Sequence, residues 1–215
     1  MIERLLASVL VFGVVLFLPA GTLRYWEAWV FMTVLFLPVT IFGAYLLRHN
    51  PALLQRRMEM REREPQQKRI IALSIAVLFA SFLLPGLDRR FGWSSVPVWL
   101  VVTADAAILL GYFLFVLTLR ANEYAARTVQ VEQRQRVIST GPYAVIRHPL
   151  YSATVLIYGF APLALGSYWA LLPAALFPAL LVARIRNEEQ VLRRDLDGYA
   201  DYCRTVRYRL IPGVW

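Results

Sequence analysis

The run PVWLVVTADAAILLGYFLFVLTL, at residues 97–119, holds 23 residues, of which only Asp105 is charged. A helix needs about 20 mostly apolar residues to cross the hydrocarbon core of a bilayer. The run therefore predicts a membrane-spanning helix. A charged side chain inside such a helix is costly and by default indicates a functional site, so Asp105 is a candidate functional residue.

Five other apolar runs share this character and predict further helices, and together the six predict an all-α integral membrane protein with five to six transmembrane helices. The last two are short and contain three prolines, so they predict a helical hairpin that need not cross the membrane fully, and five full spans is the alternative. The five further runs are residues 5–20, 26–47, 70–87, 150–165 and 169–183.

The composition excludes a water-soluble domain. Hydrophobic residues make up 59% of the chain and charged residues only 17%, against about 25% charged residues in ordinary globular proteins. The net charge of +9 comes from Lys and Arg beside the apolar runs, so we expect lipid headgroups as its counterions and no nucleic acid partner. Cys203 is the only cysteine, which excludes an internal disulfide and a cysteine-based metal site.

The basic residues also predict the orientation of the protein in the membrane. Twenty of the 23 Lys and Arg side chains fall on one side of the predicted bundle, and only Arg24, Arg89 and Arg90 fall on the other. Because cytoplasmic segments are rich in Lys and Arg, both termini, the two long polar loops and any active site should face the cytoplasm. The loop at 48–69 has mixed charges and reads as a solvated helical connection on the headgroups.

The C-terminal region has an amphipathic pattern. Its apolar residues recur at steps of three and four, which predicts one apolar helix face. We expect this helix to lie along the inner membrane surface. The apolar positions are Val191, Leu192, Leu196, Tyr199, Tyr202 and Val206.

Two polar clusters, at residues 139–151 and 184–189, stand on either side of the predicted hairpin. If the hairpin folds back on itself, its entrance and exit reach the same membrane face. Both clusters then converge on one cytoplasmic pocket. His148 either caps the turn before the hairpin or belongs to that pocket.

The residue types in these clusters suggest ligand chemistry. Pro149 can open a helix, whose free N–H groups, together with Arg147, would suit a carboxylate or phosphate. Arg184 and Glu188 are four residues apart and so share a helix face, either as a simple salt bridge or as part of a site. The adjacent Glu188 and Glu189 favour a ligand with positive charge.

The motifs of the C-terminal half resemble those of the isoprenylcysteine carboxyl methyltransferase family and the wider phospholipid methyltransferase-like membrane enzymes. The resemblance covers residues 120–215, the predicted catalytic region, and leaves residues 1–119 as four N-terminal spans on the acceptor and lipid side. The motifs are Asn122-Glu123-Tyr124, Val129-Gln130-Val131-Glu132, Gly141-Pro142-Tyr143, Arg147-His148-Pro149-Leu150-Tyr151, Arg184 with Glu188-Glu189, Tyr199-x-x-Tyr202 and Arg209-Leu210-Ile211-Pro212.

The resemblance implies an enzyme that takes S-adenosylmethionine from the cytosol and methylates a lipophilic acceptor arriving from the bilayer, such as an isoprenylcysteine carboxylate. It implies catalytic roles for Arg184 and Glu188, with Arg184 facing the acceptor and Glu188 holding the cofactor's amino group, and no metal. The implied cofactor-binding residues are Gln130, Gln135, Arg136, Val137, Ile138, Tyr143, His148, Pro149, Leu150, Tyr151 and Glu188.

Several alternatives stay open at this stage. Ala153 stands where family members often have glycine, which would narrow the pocket by a methyl group. The acceptor could be a phospholipid amine instead of a carboxylate. A sterol-reductase-like enzyme would need several basic groups for the phosphates of NADPH, whereas the two glutamates favour a sulfonium cofactor. A transporter or assembly factor is the non-enzymatic reading, and the oligomeric state is open.

Overall fold

The computed structural model describes residues 2–58, 62, 64–125, 128, 131 and 135–215. Within those residues the chain is helical and has no β-strand, which confirms the all-α class. A short 3₁₀ turn, Gly141–Ala144, precedes α6. The α-helices are α1 (Ile2–Ala20), α2 (Trp26–His49), α3 (Pro51–Met58), α4 (Pro65–Phe91), α5 (Val98–Ala121), α6 (Pro149–Ala164), α7 (Leu171–Ala174), α8 (Phe177–Asp195) and α9 (Tyr199–Thr205).

Four of the described helices, α1, α2, α4 and α5, are long and apolar enough to cross a membrane, and α6 is a shorter apolar helix of 16 residues. The predicted run 169–183 is divided between α7 and the start of α8. Pro178 lies in the first turn of α8, where the absence of its N–H group does not cost a helical hydrogen bond. The chain still turns back after α6, so α6 and α8 form the two arms of the hairpin.

Close backbone contact fixes α6 against α5. A Cβ atom added at Gly111 of α5 would lie 3.0 Å from the carbonyl oxygen of Ala153 and 2.9 Å from Cγ1 of Ile157. Small residues let membrane helices approach this closely. Ile108, one turn earlier on α5, is fully buried in the apolar core that these helices share with α1, α2 and α4. The position of α6 in the bundle is thereby set.

The two ends of the bundle differ in their polar groups. At one end, the Asp88 carboxylate accepts hydrogen bonds from the Ser94 hydroxyl at 2.6 Å and the Ser167 hydroxyl at 2.5 Å, which ties together the turns after α4 and α6. Arg89 donates to the Arg24 carbonyl oxygen at this same end. The other end holds α3, the C-terminal segment and the start of α1, where Arg4 donates a hydrogen bond to the Met58 carbonyl oxygen. The distribution of basic residues predicts that these segments lie on one side.

The C-terminal amphipathic pattern forms two helices instead of one. Gly198 adopts a φ of 80° between α8 and α9, a conformation that glycine tolerates and other residues rarely adopt. The apolar face packs on the chain itself, because Val131 and Val137 contact the cluster of Leu196, Tyr199, Tyr202 and Val206. This packing brings α9 next to the segment that the family resemblance assigns to the cofactor.

Candidate active site

A cavity of about 230 Å³ opens at the end of the bundle that holds both termini. It lies between α3, α5, α6, α8, α9 and the segment before the 3₁₀ turn. The two polar clusters converge on it, as the sequence predicts. Ten of the predicted site residues line it: Gln135, Arg136, Val137, Ile138, Tyr143, His148, Leu150, Tyr151, Arg184 and Glu188.

Tyr151 joins the two predicted catalytic residues. Its hydroxyl on α6 donates a 2.5 Å hydrogen bond to Oε2 of Glu188 on α8. The hydroxyl oxygen of Tyr151 also accepts a 2.8 Å hydrogen bond from Nε of Arg184. A phenol can donate one hydrogen bond and accept another, so a neutral group holds the carboxylate and the guanidinium side by side on the cavity wall.

A residue in the first turn of α4 binds the backbone of Arg184. The fully buried Gln67 donates a 3.1 Å hydrogen bond to the Arg184 carbonyl oxygen. Burial lowers the pKa of the Arg184 guanidinium, but Tyr151, Glu188 and Glu62 raise it by more. Arg184 therefore stays a fixed cation. The sequence pattern does not show this support, because it comes from a helix more than a hundred residues away.

Glu189 is paired inside the protein. Its Oε1 lies 3.3 Å from Nε of Arg147 and 3.3 Å from Nε2 of His148, and its Oε2 lies 3.0 Å from Nη2 of Arg209. Burial raises the pKa of Glu189, but hydrogen bonds with His148 and Arg209 and the charge of Arg147 lower it to about 2. The interpretation that both glutamates face a cationic ligand is wrong for Glu189, because neighbouring residues on a helix point about 100° apart.

The two residues before α6 bind the C-terminal segment through their backbone. Pro149 begins α6 as predicted, but the backbone N–H of Arg147 donates to the Tyr208 carbonyl oxygen at 2.9 Å. The N–H of His148 donates in the same way to Arg209 at 2.9 Å. The Arg147 side chain lines the cavity and also pairs with Glu189, and an anion site at this helix end stays a prediction.

Pro149, Asp105 and Ala153, which the sequence singled out, do not line the cavity. Pro149 is buried beside it. Asp105 is 7% exposed within α5, and its Oδ1 has no hydrogen-bond partner among the described residues. Ala153 is fully buried and faces Gly111, so its methyl group does not narrow the cavity. Gln130 lies outside the described residues.

Two buried hydroxyl groups in the cavity wall lack hydrogen-bond partners in the part of the chain that the structure describes. They are Oγ1 of Thr128 and the hydroxyl of Tyr199. Burial and the charge of Glu189 raise the pKa of Tyr199, which keeps its hydroxyl protonated. An unpaired buried hydroxyl costs free energy, so both groups suit a polar ligand, next to a carboxylate that suits a cation.

Sequence reasoning missed the contribution of the N-terminal region. Arg57 of α3 and Phe115 of α5 line the cavity, although the loop at 48–69 reads as a solvated connection. Its described part instead places α3 against the bundle, where Leu53 is buried beside Leu46 and Leu119. The division of the chain at residue 119 stays a prediction.

Residues 100–194 match the model of the isoprenylcysteine carboxyl methyltransferase (ICMT) family. No curated protein matches the chain. The matched residues reach from α5 almost to the end of α8 and include Tyr151, Arg184 and Glu188, while Arg57 and Tyr199 fall outside them. Residues 100–194 of the chain are therefore similar to the ICMT family, which is the family that the motifs resemble.

Proposed function

We propose that this protein is a membrane methyltransferase of the ICMT kind, which uses S-adenosylmethionine and methylates the carboxylate of a lipophilic acceptor that reaches the cavity from the bilayer. The pair of Arg184 and Glu188, joined through Tyr151 on the cavity wall, is the observation that carries the proposal. It offers one fixed cation and one carboxylate at a single site. A carboxylate acceptor and a cationic cofactor need these two charges.

Glu188 holds the amino group of the cofactor. When bound, S-adenosylmethionine supplies a methyl group activated by a positively charged sulfur. Hydrogen bonds between ionised groups are stronger than those between neutral ones, so Glu188 contributes most of the contact with the amino group. The unpaired hydroxyls of Thr128 and Tyr199 can bind the polar groups of the nucleoside. The donors present thus fit the cofactor.

Arg184 orients the acceptor. Its guanidinium is held by Tyr151 and matches the two oxygens of a carboxylate. Such an acceptor is already ionised at pH 7, so no general base is required. The protein's contribution is then positioning and the exclusion of water.

The cavity opens towards the cytosol in this proposal. It lies at the end of the bundle with the N-terminus, α3 and the C-terminal segment, where basic residues are concentrated. Cytoplasmic segments of membrane proteins carry an excess of Lys and Arg. A soluble cofactor would then enter from the cytosol, and an acceptor with an apolar tail would enter from the lipid.

Transfer of a labelled methyl group tests the proposal. The protein in nanodiscs would receive labelled S-adenosylmethionine and a prenylated cysteine with a free carboxyl group, or the same compound with the carboxyl converted to an amide. We expect label in the acid only, in a base-labile ester. Label in phosphatidylethanolamine of the nanodisc instead of in the acid would contradict a carboxylate acceptor.

A further inference from the structure

Arg57 belongs to the cavity although it lies outside the matched family region. The helix that carries it, α3, has eight residues and is held in place at two points. Leu53 is buried against α2 and α5, and Nη1 of Arg56 donates a 3.0 Å hydrogen bond to the Glu123 carbonyl oxygen. The half-buried Arg57 side chain therefore projects from a fixed helix.

The direction of the Arg57 side chain is set by an aromatic ring. Its guanidinium carbon lies 5.2 Å from the centroid of the Phe115 ring. A guanidinium over an aromatic face within about 6 Å is attracted to it. Arg57 and Phe115 both line the cavity, so this contact holds a positive charge at the cavity wall.

Arg57, Tyr143 and Glu188 all line the same cavity. The pKa of Tyr143 is raised to about 12, mainly by burial and also by the charge of Glu188, against the lowering effects of a hydrogen bond from Asn122 and the charge of Arg57. Helices α3 and α8 therefore place opposite charges on the wall of one cavity.

A carboxylate and a guanidinium on the wall of one cavity suit a zwitterion. An α-amino acid carries its ammonium and carboxylate on the same carbon atom, so it needs both charges within a few ångströms. We propose that Arg57 binds the carboxylate of the amino acid portion of S-adenosylmethionine, while Glu188 binds its amino group. The inference rests on the proposed function, and it leaves Arg184 for the acceptor.

Removing the carboxylate from the ligand and the guanidinium from the protein tests the pairing. Calorimetry in nanodiscs would compare S-adenosylhomocysteine with its decarboxylated analogue, for the wild type and for Arg57→Gln. In the wild type, loss of the carboxylate should weaken binding about 10- to 100-fold, the range for hydrogen bonds to charged groups. Arg57→Gln should weaken the binding of S-adenosylhomocysteine by a similar factor and leave the binding of the analogue unchanged. Unchanged binding of the analogue would also show that the variant is folded.

Arg120→Gln is the matched control. Arg120 is an exposed basic residue at the end of α5 and does not line this cavity in the described structure. Its loss removes the same charge, so affinities for both ligands should stay within about twofold of wild type, as for surface charges. The pairing would be overturned if Arg57→Gln weakened the binding of both ligands equally or changed the binding of neither. Absence of binding by the wild type would contradict the proposed function itself, before any variant is compared.

Discussion

Tyr151 and Glu188 lie 37 residues apart in the chain and share a 2.5 Å hydrogen bond across the gap between α6 and α8. Because Arg184 donates to the same hydroxyl, the position of Tyr151 decides where both charged groups point. The close contact of α6 with α5 at Gly111 sets that position in turn. The geometry of the site thus depends on helix packing as well as on its charged residues.

Tyr151→Phe should lower methyl transfer about 10- to 100-fold, since the variant loses hydrogen bonds to two charged groups. The ring is kept, so folding should change little. The measurement is kcat/KM with the prenylated acid. Tyr168→Phe is the control, because Tyr168 is 43% exposed at the opposite end of the bundle. A wild-type rate in Tyr151→Phe would show that the hydroxyl does not position the pair.

Arg184→Ala and Glu188→Ala should separate turnover from cofactor binding. Arg184→Ala should reduce turnover by about 100-fold or more, because the acceptor loses its orienting charge, and should leave the affinity for S-adenosylhomocysteine near that of the wild type. Glu188→Ala should weaken that affinity about 10-fold or more. Calorimetry and steady-state rates give both quantities. The opposite pattern would reverse the roles assigned to the two residues.

Glu189 should make stability depend on acid pH. Its pKa is lowered to about 2 from 4.5, so its contribution is complete above about pH 4.5 and is lost as pH falls towards 2. The shift corresponds to about 3 kcal/mol of unfolding free energy. Glu189→Gln should lose most of this free energy at pH 7. Urea unfolding of both proteins in micelles, repeated across a range of pH, measures the loss.

The exposed Asp201 provides the control for that experiment. Its side chain is 79% exposed and pairs only with Arg204 among the salt bridges of the described chain. Asp201→Asn should therefore change the unfolding free energy by less than about 1 kcal/mol. If Glu189→Gln kept the stability of the wild type at pH 7, the buried ion cluster would not hold the C-terminal segment on α6.

Gly111→Ala should destabilise the protein by about 1 to 3 kcal/mol, the usual cost of overpacking. Its new Cβ would lie 3.0 Å from the carbonyl oxygen of Ala153, a backbone atom that cannot turn away. Gly159→Ala on α6 is the control, because a Cβ there meets nothing within 4 Å. Thermal unfolding in the same detergent compares the two. Equal stability of both variants would contradict the close packing of α5 on α6.

Much of the fold and of the cavity could be predicted from the sequence, because local patterns encode them. Apolar runs near the thickness of a bilayer predict α1, α2, α4 and α5, and the spacing of the motifs brings Tyr151, Arg184 and Glu188 to one place. The break between α7 and α8 was not predicted, because a proline in an apolar run can begin a helix, as Pro178 does in α8, or lie inside one, as Pro162 does in α6.

Contacts between distant segments could not be predicted. Arg57 looks like any other basic residue of a charged loop, and only the packing of α3 against Leu119 brings it to the cavity. Glu189 differs from Glu188 only by its direction on the helix. The direction matters because Arg147 and Arg209 lie on the side of the helix that Glu189 faces. Tertiary structure decides such roles.

Calorimetric titration of the wild-type protein in nanodiscs with S-adenosylhomocysteine, and with NADPH in parallel, tests most directly whether the cavity holds a methyl donor. We expect saturable binding of S-adenosylhomocysteine, none of NADPH, and a weaker affinity in Glu188→Ala. Binding of NADPH alone, or of neither ligand by a folded sample, would contradict the assignment of this cavity to S-adenosylmethionine.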